Sequence, residues 1–170
     1  MSKIIIVDEN DNEIGVKERS RITHEDIYRV SGLWLTNSKG EILLAQRSFK
    51  KHPAHSPGKW GPATAGTVEE GETYEENIIK EIEEELGLRR LKLKKAHKKF
   101  RDNGIRRYFV QIFTSRIDRA AEEFIVQKDE VEQVKWFSPE ELKERFWKNP
   151  EGFISTMEET LKEMGVLSEV

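Results

Sequence analysis

The segment Thr73–Leu86 constrains the fold of this 170-residue chain more than any other. Thr73 is a residue type that caps helices, and Gly87 stands where a glycine commonly ends one. Between them, large apolar residues recur at helical spacing, at Ile78, Ile79, Ile82 and Leu86. They form a single apolar stripe, and such a stripe must be buried against another element. The pattern therefore predicts an amphipathic helix that packs on a sheet, in a fold that combines helices with strands.

Apolar and β-branched runs on both sides of this helix predict that sheet. Residues 3–18 have the pattern of an N-terminal β-hairpin, two runs separated by turn-forming residues. Further strands are predicted at Tyr28–Thr36, Glu41–Arg47, Trp60–Thr67, Leu91–Ala96, Arg106–Arg116 and Val131–Phe137. A loop is predicted at Phe49–Lys59, and two more helices at residues 139–147 and Glu151–Met164. The sequence thus predicts one α/β domain over residues 1–170, with a mixed β-sheet flanked by helices.

The composition narrows the classes of protein and of site. The chain has no cysteine, which excludes disulfides, a thiolate zinc site and a cysteine nucleophile. Its net charge is −3, so no overall positive field favours nucleic acid or an anionic membrane as a partner. No apolar run approaches the ~20 residues of a membrane span, and the first residues lack the apolar core of a signal peptide. We expect a cytoplasmic protein without a membrane partner.

Three glutamates of the predicted helix indicate a metal site. Glu81, Glu84 and Glu85 are three or four residues apart, so their carboxylates share one face of the helix. Like charges this close beside an apolar face repel each other by about 1–4 kcal/mol per pair. A divalent cation removes that cost, and oxygen ligands alone select hard ions such as Mg²⁺ or Mn²⁺. The alternative is a solvated helix face, which is the usual role of a glutamate-rich run.

The whole stretch Gly66–Leu88 resembles the Nudix box, Gly-x5-Glu-x7-Arg-Glu-U-x-Glu-Glu-x-Gly-U, where U is an apolar residue. Every specified position matches except Lys80, which stands where the family has arginine. The lysine keeps the positive charge but lacks the two-pronged donor geometry of a guanidinium. By this resemblance the chain is identified as a member of the Nudix hydrolases. The implied fold is a Nudix-type α/β/α sandwich with a mixed β-sheet and an N-terminal β-hairpin.

The resemblance implies roles for the acidic residues of the helix. In Nudix hydrolases the three clustered glutamates, here Glu81, Glu84 and Glu85, bind metal and serve in catalysis. Glu81 is also a candidate for activating the attacking water. Glu72 matches the box glutamate that supports the site or joins the metal shell. The implied reaction is the metal-dependent hydrolysis of a nucleoside diphosphate linked to another group.

The resemblance also implies metal ligands beyond these side chains. In this family a backbone carbonyl, here of Gly66 or Ala65, commonly completes the coordination. A further glutamate often stands outside the box, six residues before a tryptophan near the last strand. Glu130 stands six residues before Trp136 and is the first candidate, whereas Glu132 is the second. The alternative for Glu130 is a carboxylate of a surface loop.

Similarity outside the box indicates one branch of the family. Gln46-Arg47-Ser48, a lysine-containing loop and Pro57-Gly58-Lys59-Trp60 resemble the branch that includes isopentenyl-diphosphate isomerase. In that branch, the arginine and a lysine four residues later bind diphosphate oxygens. This similarity implies the same role for Arg47 and Lys51, and phosphate-binding basic residues beside a metal site are chemically reasonable. The alternative for both is a solvated surface base.

The catalytic residues of the isomerase itself are absent. Its cysteine, which stands just before the first glycine of the box, corresponds to Ala65, and the histidine two residues later corresponds to Thr67. A histidine that enters an early strand corresponds to Tyr28. A later Glu-x-Glu aligns with Arg106 and Tyr108. These replacements disfavour an isomerase, because isomerisation needs one group to protonate and another to deprotonate the allylic unit.

Three functions remain open at this stage. The favoured one is a metal-dependent hydrolase of a small-molecule diphosphate, and the others are an isomerase-like protein and a catalytically silent Nudix fold that only binds a ligand. Loss of a box glutamate would favour the silent fold, and none is lost. The basic run at residues 89–107 is more typical of edge strands, which lysines protect, than of a nucleic-acid surface. The sequence does not fix the substrate or the oligomeric state, and a homodimer is compatible with it.

Overall fold

The computed structural model describes residues 2–51 and 55–169. Its strands are β1 (Lys3–Val7), β2 (Glu13–Glu18), β3 (Ile27–Thr36), β4 (Ile42–Arg47), β5 (Trp60–Pro62), β6 (Thr64–Thr67), β7 (Lys94–Asp102), β8 (Arg107–Arg116) and β9 (Val131–Phe137). The helices are α1 (Tyr74–Leu86), α2 (Pro139–Lys148) and α3 (Met157–Glu163). Residues 52–54 of the loop predicted at Phe49–Lys59 lie outside the described residues. In the described ranges, no helix has the length and apolar character needed to cross a membrane.

The strands form one mixed sheet centred on β3. β8 runs parallel to β3 along its whole length, from the pair Ile27↔Arg107 to the pair Thr36↔Arg116. The other edge of β3 is shared by three antiparallel partners in turn, β1, β6 and β4. β2 extends the sheet beyond β1, β7 pairs with β8, and both β5 and β9 pair with β4. This topology places β6, the strand before α1, against the centre of the sheet.

Helices cover both faces of this sheet, which confirms the predicted α/β/α sandwich with its N-terminal hairpin. On one face, Ile82 of α1 belongs to the same core as Leu33 of β3. On the other face, Leu161 of α3 belongs to the same core as Trp34. Successive strand residues point to opposite faces, so the neighbours Leu33 and Trp34 are buried in different cores. Each fully buried large apolar side chain contributes roughly 1.5–3 kcal/mol, so both layers stabilise the fold.

The turn between β1 and β2 anchors the start of α1. Asp11 accepts hydrogen bonds from Arg29 Nε at 2.7 Å, the Tyr74 hydroxyl at 2.9 Å and Lys98 Nζ at 2.6 Å. Burial alone would raise the pKa of Asp11, but these donors outweigh burial and lower it. Tyr74 is the first residue of α1, and Lys98 belongs to β7. The hairpin therefore fixes where α1 begins relative to the sheet.

Two predicted strands have wrong boundaries. The strand predicted at Leu91–Ala96 is β7, which begins three residues later and extends to Asp102. Its side chains are mostly exposed, so its second half lacks the apolar alternation by which a strand is recognised. The predicted segment Trp60–Thr67 is two strands, because β5 pairs with β4 whereas β6 pairs with β3. The division into β5 and β6 reflects partners that are distant in sequence, whereas β7 forms a hairpin with β8, in which Asp102 pairs with Arg107.

The last helix is shorter than predicted. Instead of Glu151–Met164, α3 spans Met157–Glu163 and follows a 3₁₀ turn at Pro150–Gly152. Phe153 forms an isolated parallel bridge with Trp60, and Ile154 N donates to the Trp60 carbonyl oxygen at 2.9 Å. These backbone bonds hold residues 153–154 extended beside β5. A long-range pairing therefore overrides the local helical pattern.

A buried arginine fastens α3 to β7. Arg101 is 4% exposed, and its guanidinium donates to the two Glu163 oxygens at 2.8 and 2.5 Å. Glu159 Oε2 lies 3.3 Å from the same guanidinium, and His97 Nε2 lies 3.1 Å from Glu163. Burial alone would raise the pKa of Glu163, but Arg101, aided by His97, outweighs burial and lowers it. Arg101 and Glu163 therefore form an ion pair that stabilises the folded state.

Replacing Glu163 with glutamine is expected to lower the free energy of unfolding by about 3 kcal/mol, because the buried charge of Arg101 loses its main partner. Folding lowers the pKa of Glu163 from its ordinary value of 4.5, so the ion pair stabilises the protein fully at pH values above 4.5. That contribution is lost as the pH falls through the folded-state pKa. Urea unfolding should therefore show a difference between wild type and variant at neutral pH that shrinks in acid.

Glu158 offers the control for this variant on the same helix. It forms a partly exposed pair with Lys162 at 3.3 Å, one turn away. Such pairs contribute at most about 0.5 kcal/mol, so Glu158→Gln should unfold almost like the wild type. Equal losses from Glu158→Gln and Glu163→Gln would show that burial of the Arg101 partner does not matter.

Candidate active site

α1 begins and ends where the sequence predicts. Thr73 and Glu76 cap it reciprocally, each side chain accepting a hydrogen bond of 3.1 Å from the backbone N–H of the other. Gly87 ends the helix with a φ of 68°, a conformation that favours glycine. The buried face of the helix differs from the predicted apolar stripe at one position. Ile79 is 50% exposed, so its predicted packing on the sheet is wrong, and Asn77 is fully buried instead.

The bonds of Asn77 set the rotation of α1. Its Oδ1 accepts from Ser31 Oγ at 2.5 Å, and its Nδ2 donates to the Thr67 carbonyl oxygen and to Glu72 Oε2, both at 2.9 Å. A buried amide is tolerated only when its polar groups are paired in this way. The three bonds tie the helix to β3, to β6 and to the loop before α1. Glu81, one turn after Asn77, is thereby turned toward β6.

Glu81 and Glu85 lie together where β6 meets the helix. Their carboxyl groups lie close enough for each to change the pKa of the other. Gly66 of β6 makes room for this arrangement. A β-carbon at Gly66 would stand 2.4 Å from Cγ and 2.6 Å from Cδ of Glu81, far closer than atoms can approach. A glycine is therefore needed at this position for Glu81 to reach Glu85.

The surroundings make both carboxyl groups hard to ionise. Burial is the largest cause of the raised pKa of each. The negative charge of Glu84 further raises the pKa of Glu81, and the negative charge of Glu81 further raises the pKa of Glu85. The buried Thr64 hydroxyl meets no described partner at good hydrogen-bonding geometry, yet lies near enough to Glu85 to favour its charged form. Such a pair is poised to hold either a proton or a cation.

Lys80 bridges two other carboxylates. Its Nζ lies 2.5 Å from Glu72 Oε1 and 2.9 Å from Glu69 Oε2. The second oxygen of Glu72 accepts from Glu69 N and Asn77 Nδ2, both at 2.9 Å. Both oxygens of Glu72 are therefore engaged, which favours its predicted supporting role over membership in a metal shell. Lysine contacts one oxygen of each partner, whereas arginine could bind one carboxylate through two parallel bonds.

The predicted residues outside the box lie on the Glu85 side of the helix. Arg47 Nη1 donates to the His55 carbonyl oxygen at 2.7 Å. Burial lowers the pKa of Arg47, and the charges of Glu85 and Glu130 act in the opposite direction. Lys51 and Glu130 form an ion pair with each other. The predicted diphosphate ligands and the predicted metal ligand from the later segment thus meet at one place.

The donor set fits a hard divalent cation. Glu81 and Glu85 offer carboxylate oxygens, the ligands that Mg²⁺ and Mn²⁺ prefer, and Glu84 is exposed beside them. As they stand, no three His, Asp or Glu side chains of residues 2–51 and 55–169 are arranged to hold a metal ion. Glu81 and Glu85 lie against each other, and Glu130 forms an ion pair with Lys51. Metal binding by these glutamates and by the Gly66 carbonyl stays a prediction, and it requires those contacts to open.

Sequence reasoning misses three residues of this region. Asn77 shares the stripe of Ile78 and Ile82, so a polar residue on a buried face is the signal that could have identified it. Thr64 stands two residues before Gly66 on the same strand, and this spacing places both on one face. Glu69 gives no comparable signal, because its contact with Lys80 depends on the path of the loop before α1.

Comparisons with known proteins agree with this fold and box. The family model described as NUDIX domain matches residues 27–157. An uncharacterised Nudix hydrolase of Pseudomonas aeruginosa, PA4841, is 30% identical over 135 residues, which cover 79% of this chain and 77% of the relative. An isopentenyl-diphosphate Δ-isomerase of Burkholderia multivorans is 30% identical over 121 residues, 68% of each chain. The similarity therefore includes the branch that the sequence indicates.

The structure of DR0079 from Deinococcus radiodurans superposes on this one with a TM-score of 0.73. The two share 24% sequence identity, and the match covers 86% of this chain and 89% of the other. At that identity the superposition shows a common fold. The NUDIX match runs from β3 to the first residue of α3 and contains the whole box with Glu81 and Glu85. Since box, fold and sequence relatives agree, the chain belongs to the Nudix family.

Proposed function

We propose that this protein is a Mg²⁺- or Mn²⁺-dependent pyrophosphohydrolase that cleaves the diphosphate linkage of a nucleoside-diphosphate-like substrate. One observation carries the proposal: Glu81 and Glu85 form a half-buried carboxyl pair beside Gly66, within the electrostatic reach of Arg47. A pair that resists ionisation, next to a cationic side chain, suits a site that binds a metal ion and a phosphate together. Membership of the Nudix family supports the hydrolysis of a pyrophosphate bond.

Different residues of the chain have different roles in the reaction. The three clustered glutamates Glu81, Glu84 and Glu85, together with Glu130, would hold the metal, which would neutralise the diphosphate and lower the pKa of the attacking water. Arg47 and Lys51 bind diphosphate oxygens, and Lys51 must leave Glu130 to do so. A carboxylate of Glu81 or Glu85 accepts the proton of the attacking water. The water oxygen bonds to phosphorus, and the bridging P–O bond breaks with its electron pair on the leaving phosphate.

The isomerase alternative receives no support from the residues at the corresponding positions. Ala65 is an exposed methyl group on β6, and Thr67 follows it on the same strand. Tyr28 and Tyr108 are cross-strand neighbours, and burial raises the pKa of both. Both tyrosines therefore stay protonated at neutral pH and supply no base for removing an allylic proton. The silent alternative is disfavoured because every box glutamate is present.

A substrate screen tests the proposal. With Mg²⁺ or Mn²⁺ present, at least one nucleoside polyphosphate, nucleotide sugar, dinucleoside polyphosphate or isoprenoid diphosphate should release phosphate or a monophosphate. Excess EDTA should abolish turnover, and added Mg²⁺ should restore it. Calcium should substitute poorly, because its longer and looser coordination misplaces the attacking water. Full turnover in excess chelator, or no turnover on any of these diphosphates, would contradict the proposal.

A further inference from the structure

Thr64 carries a buried hydroxyl group that has no hydrogen-bond partner. The residue is 2% exposed, and among residues 2–51 and 55–169 its Oγ1 is the one buried side-chain nitrogen or oxygen without a partner. Burying a hydroxyl without a hydrogen bond destabilises a protein, so nearly all such groups are paired. The buried polar side chains nearby follow this rule, since Ser31 donates to Asn77 at 2.5 Å. The unpaired hydroxyl of Thr64 therefore needs an explanation other than the stability of the fold.

The hydroxyl lies on the face of β6 that meets α1. Thr64 pairs with Leu33 of β3, which is buried in the core under α1, and the side chains of paired residues lie on the same face of a sheet. Gly66, two residues further along β6, lies on that face too. A β-carbon there would stand 2.4 Å from Glu81 Cγ. Thr64 therefore points to the same side of the strand as the glycine beside Glu81.

The spacing of residues along β6 matches the spacing of the carboxyl groups along α1. From Thr64 to Gly66 is two residues of a strand, roughly 6.6 Å. From Glu81 to Glu85 is four residues of a helix, roughly 6 Å. With Gly66 against Glu81, Thr64 falls beside Glu85. Burial raises the pKa of Glu85 most, and the Thr64 hydroxyl acts on it in the opposite direction. Each carboxyl group of the pair thus has its own neighbour on β6.

Glu85 needs a hydrogen-bond donor if it is to hold a cation in one orientation. In metal sites the ligating carboxylates are themselves held by hydrogen bonds, which set their direction. Glu81 and Glu130 disfavour the charged form of Glu85, and an ionised carboxylate accepts hydrogen bonds but does not donate them. The Thr64 hydroxyl is a donor. Because threonine is stiff about χ1, the strand fixes where its Oγ1 lies.

We propose that Thr64 is a positioning residue, whose hydroxyl donates to one oxygen of Glu85 and so turns the other oxygen toward the cation. This role rests on the proposed function, because it concerns the orientation of one of the proposed metal ligands. The hydroxyl is unpaired while Glu81 and Glu85 lie against each other, and it gains its partner when the two carboxyl groups separate around a cation. It therefore lowers the stability of the metal-free protein and strengthens metal binding.

Thr64→Val separates the hydroxyl from the packing of the side chain, because valine has nearly the same shape but no donor. In EDTA the melting temperature of this variant should equal or exceed that of the wild type, since an unpaired polar group is removed and no hydrogen bond is lost. Isothermal titration calorimetry with Mn²⁺ and no substrate should give a dissociation constant about ten-fold higher. Thr64→Ser keeps the hydroxyl and should bind Mn²⁺ nearly as tightly as the wild type. Thr114→Val, the same change on β8, is the control and should also bind like the wild type.

Combined variants test whether the hydroxyl acts through Glu85. Glu85→Asp keeps the charge but withdraws the carboxylate from Thr64 by one methylene group, and Glu84→Asp is the same change at the exposed neighbour. Two changes that act through one contact are not additive. Adding Thr64→Val should therefore weaken Mn²⁺ binding about ten-fold in Glu84→Asp but little in Glu85→Asp. Equal ten-fold losses in both backgrounds would place the effect of the hydroxyl elsewhere.

The outcomes separate this role from the proposed function. Mn²⁺ binding that Thr64→Val weakens and Thr64→Ser retains supports the role even if no diphosphate is hydrolysed. Hydrolysis with unaltered Mn²⁺ affinity in Thr64→Val overturns the role but leaves the hydrolase intact. A fall in metal-free melting temperature together with Mn²⁺ affinity in Thr64→Val would mean that the side chain serves only packing. A wild-type protein that neither binds Mn²⁺ nor hydrolyses a diphosphate contradicts both proposals.

Discussion

Replacing Glu81 or Glu85 with glutamine is expected to lower turnover by about two to four orders of magnitude. Glutamine keeps the size and helix propensity of glutamate but neither carries charge nor accepts the proton of an attacking water. If the pair binds metal, each variant loses activation of the water and neutralisation of the diphosphate together. Initial rates at saturating Mg²⁺, on the best substrate of the screen, measure the loss.

Glu83 supplies the matched control within the same helix. It is exposed and forms a 2.7 Å ion pair with Arg89, an arrangement that contributes at most about 1 kcal/mol. Glu83→Gln should therefore keep a rate near that of the wild type. A solvated helix face would make all three glutamates equivalent. Near-wild-type turnover for the variants at Glu81, Glu83 and Glu85 alike would favour a silent binding module.

Stability without metal separates a chemical role of Glu85 from a structural one. Burial and the neighbouring Glu81 both disfavour ionised Glu85, and together they outweigh the Thr64 hydroxyl, which favours the charge. The melting temperature of Glu85→Gln in EDTA should consequently equal or exceed that of the wild type. A large fall in both turnover and metal-free melting temperature would instead assign Glu85 to the packing of α1.

The sequence predicts α1 well because its signals are local. Thr73 and Gly87 lie within one turn of the helix ends, and the spacing of Ile78, Ile82 and Leu86 defines a buried face without reference to the rest of the chain. The same periodicity fails for Ile79 at the margin of the stripe. The rotation of the helix is decided by Asn77, whose partners come from three other segments, and no local pattern contains that information.

The error at α3 has the same origin, because α3 starts late where Ile154 bonds to Trp60, 94 positions earlier in the chain. The error at β7 is different, because its pairing with β8 is a local hairpin that joins Asp102 to Arg107, and its mostly exposed residues carry no apolar alternation. In the active site, too, some features follow from local spacing and others from contacts between distant segments. The spacing of the box predicts which carboxylates share a helix face, but the contact between Lys51 and Glu130 joins segments 79 residues apart. Such contacts follow from the folded topology rather than from neighbouring residues.

Gly66→Ala is expected to lower turnover by at least about a hundred-fold, although it changes no ionisable group. The new methyl group would meet Glu81 Cγ at 2.4 Å, so one of the two must move. Gly66 does not adopt the left-handed conformation that only glycine favours, so β6 can accept alanine. The Glu81 side chain is the flexible partner and should swing away from Glu85. Overpacking of this kind costs the fold about 1–3 kcal/mol, which thermal unfolding would detect as a modest shift.

Measurements on Gly66→Ala should identify Glu81 as the group through which the methyl acts. The Mg²⁺ concentration for half-maximal rate should rise, because a displaced carboxylate no longer completes the metal site. Adding Glu81→Gln to Gly66→Ala should cost little further activity, since two changes that act through one group are not additive. Gly15→Ala, where a β-carbon meets nothing within 4 Å, is the control and should keep the wild-type rate. A wild-type rate in Gly66→Ala would mean that catalysis does not need Glu81 beside Glu85, and fully additive losses would place the effect of the methyl group elsewhere.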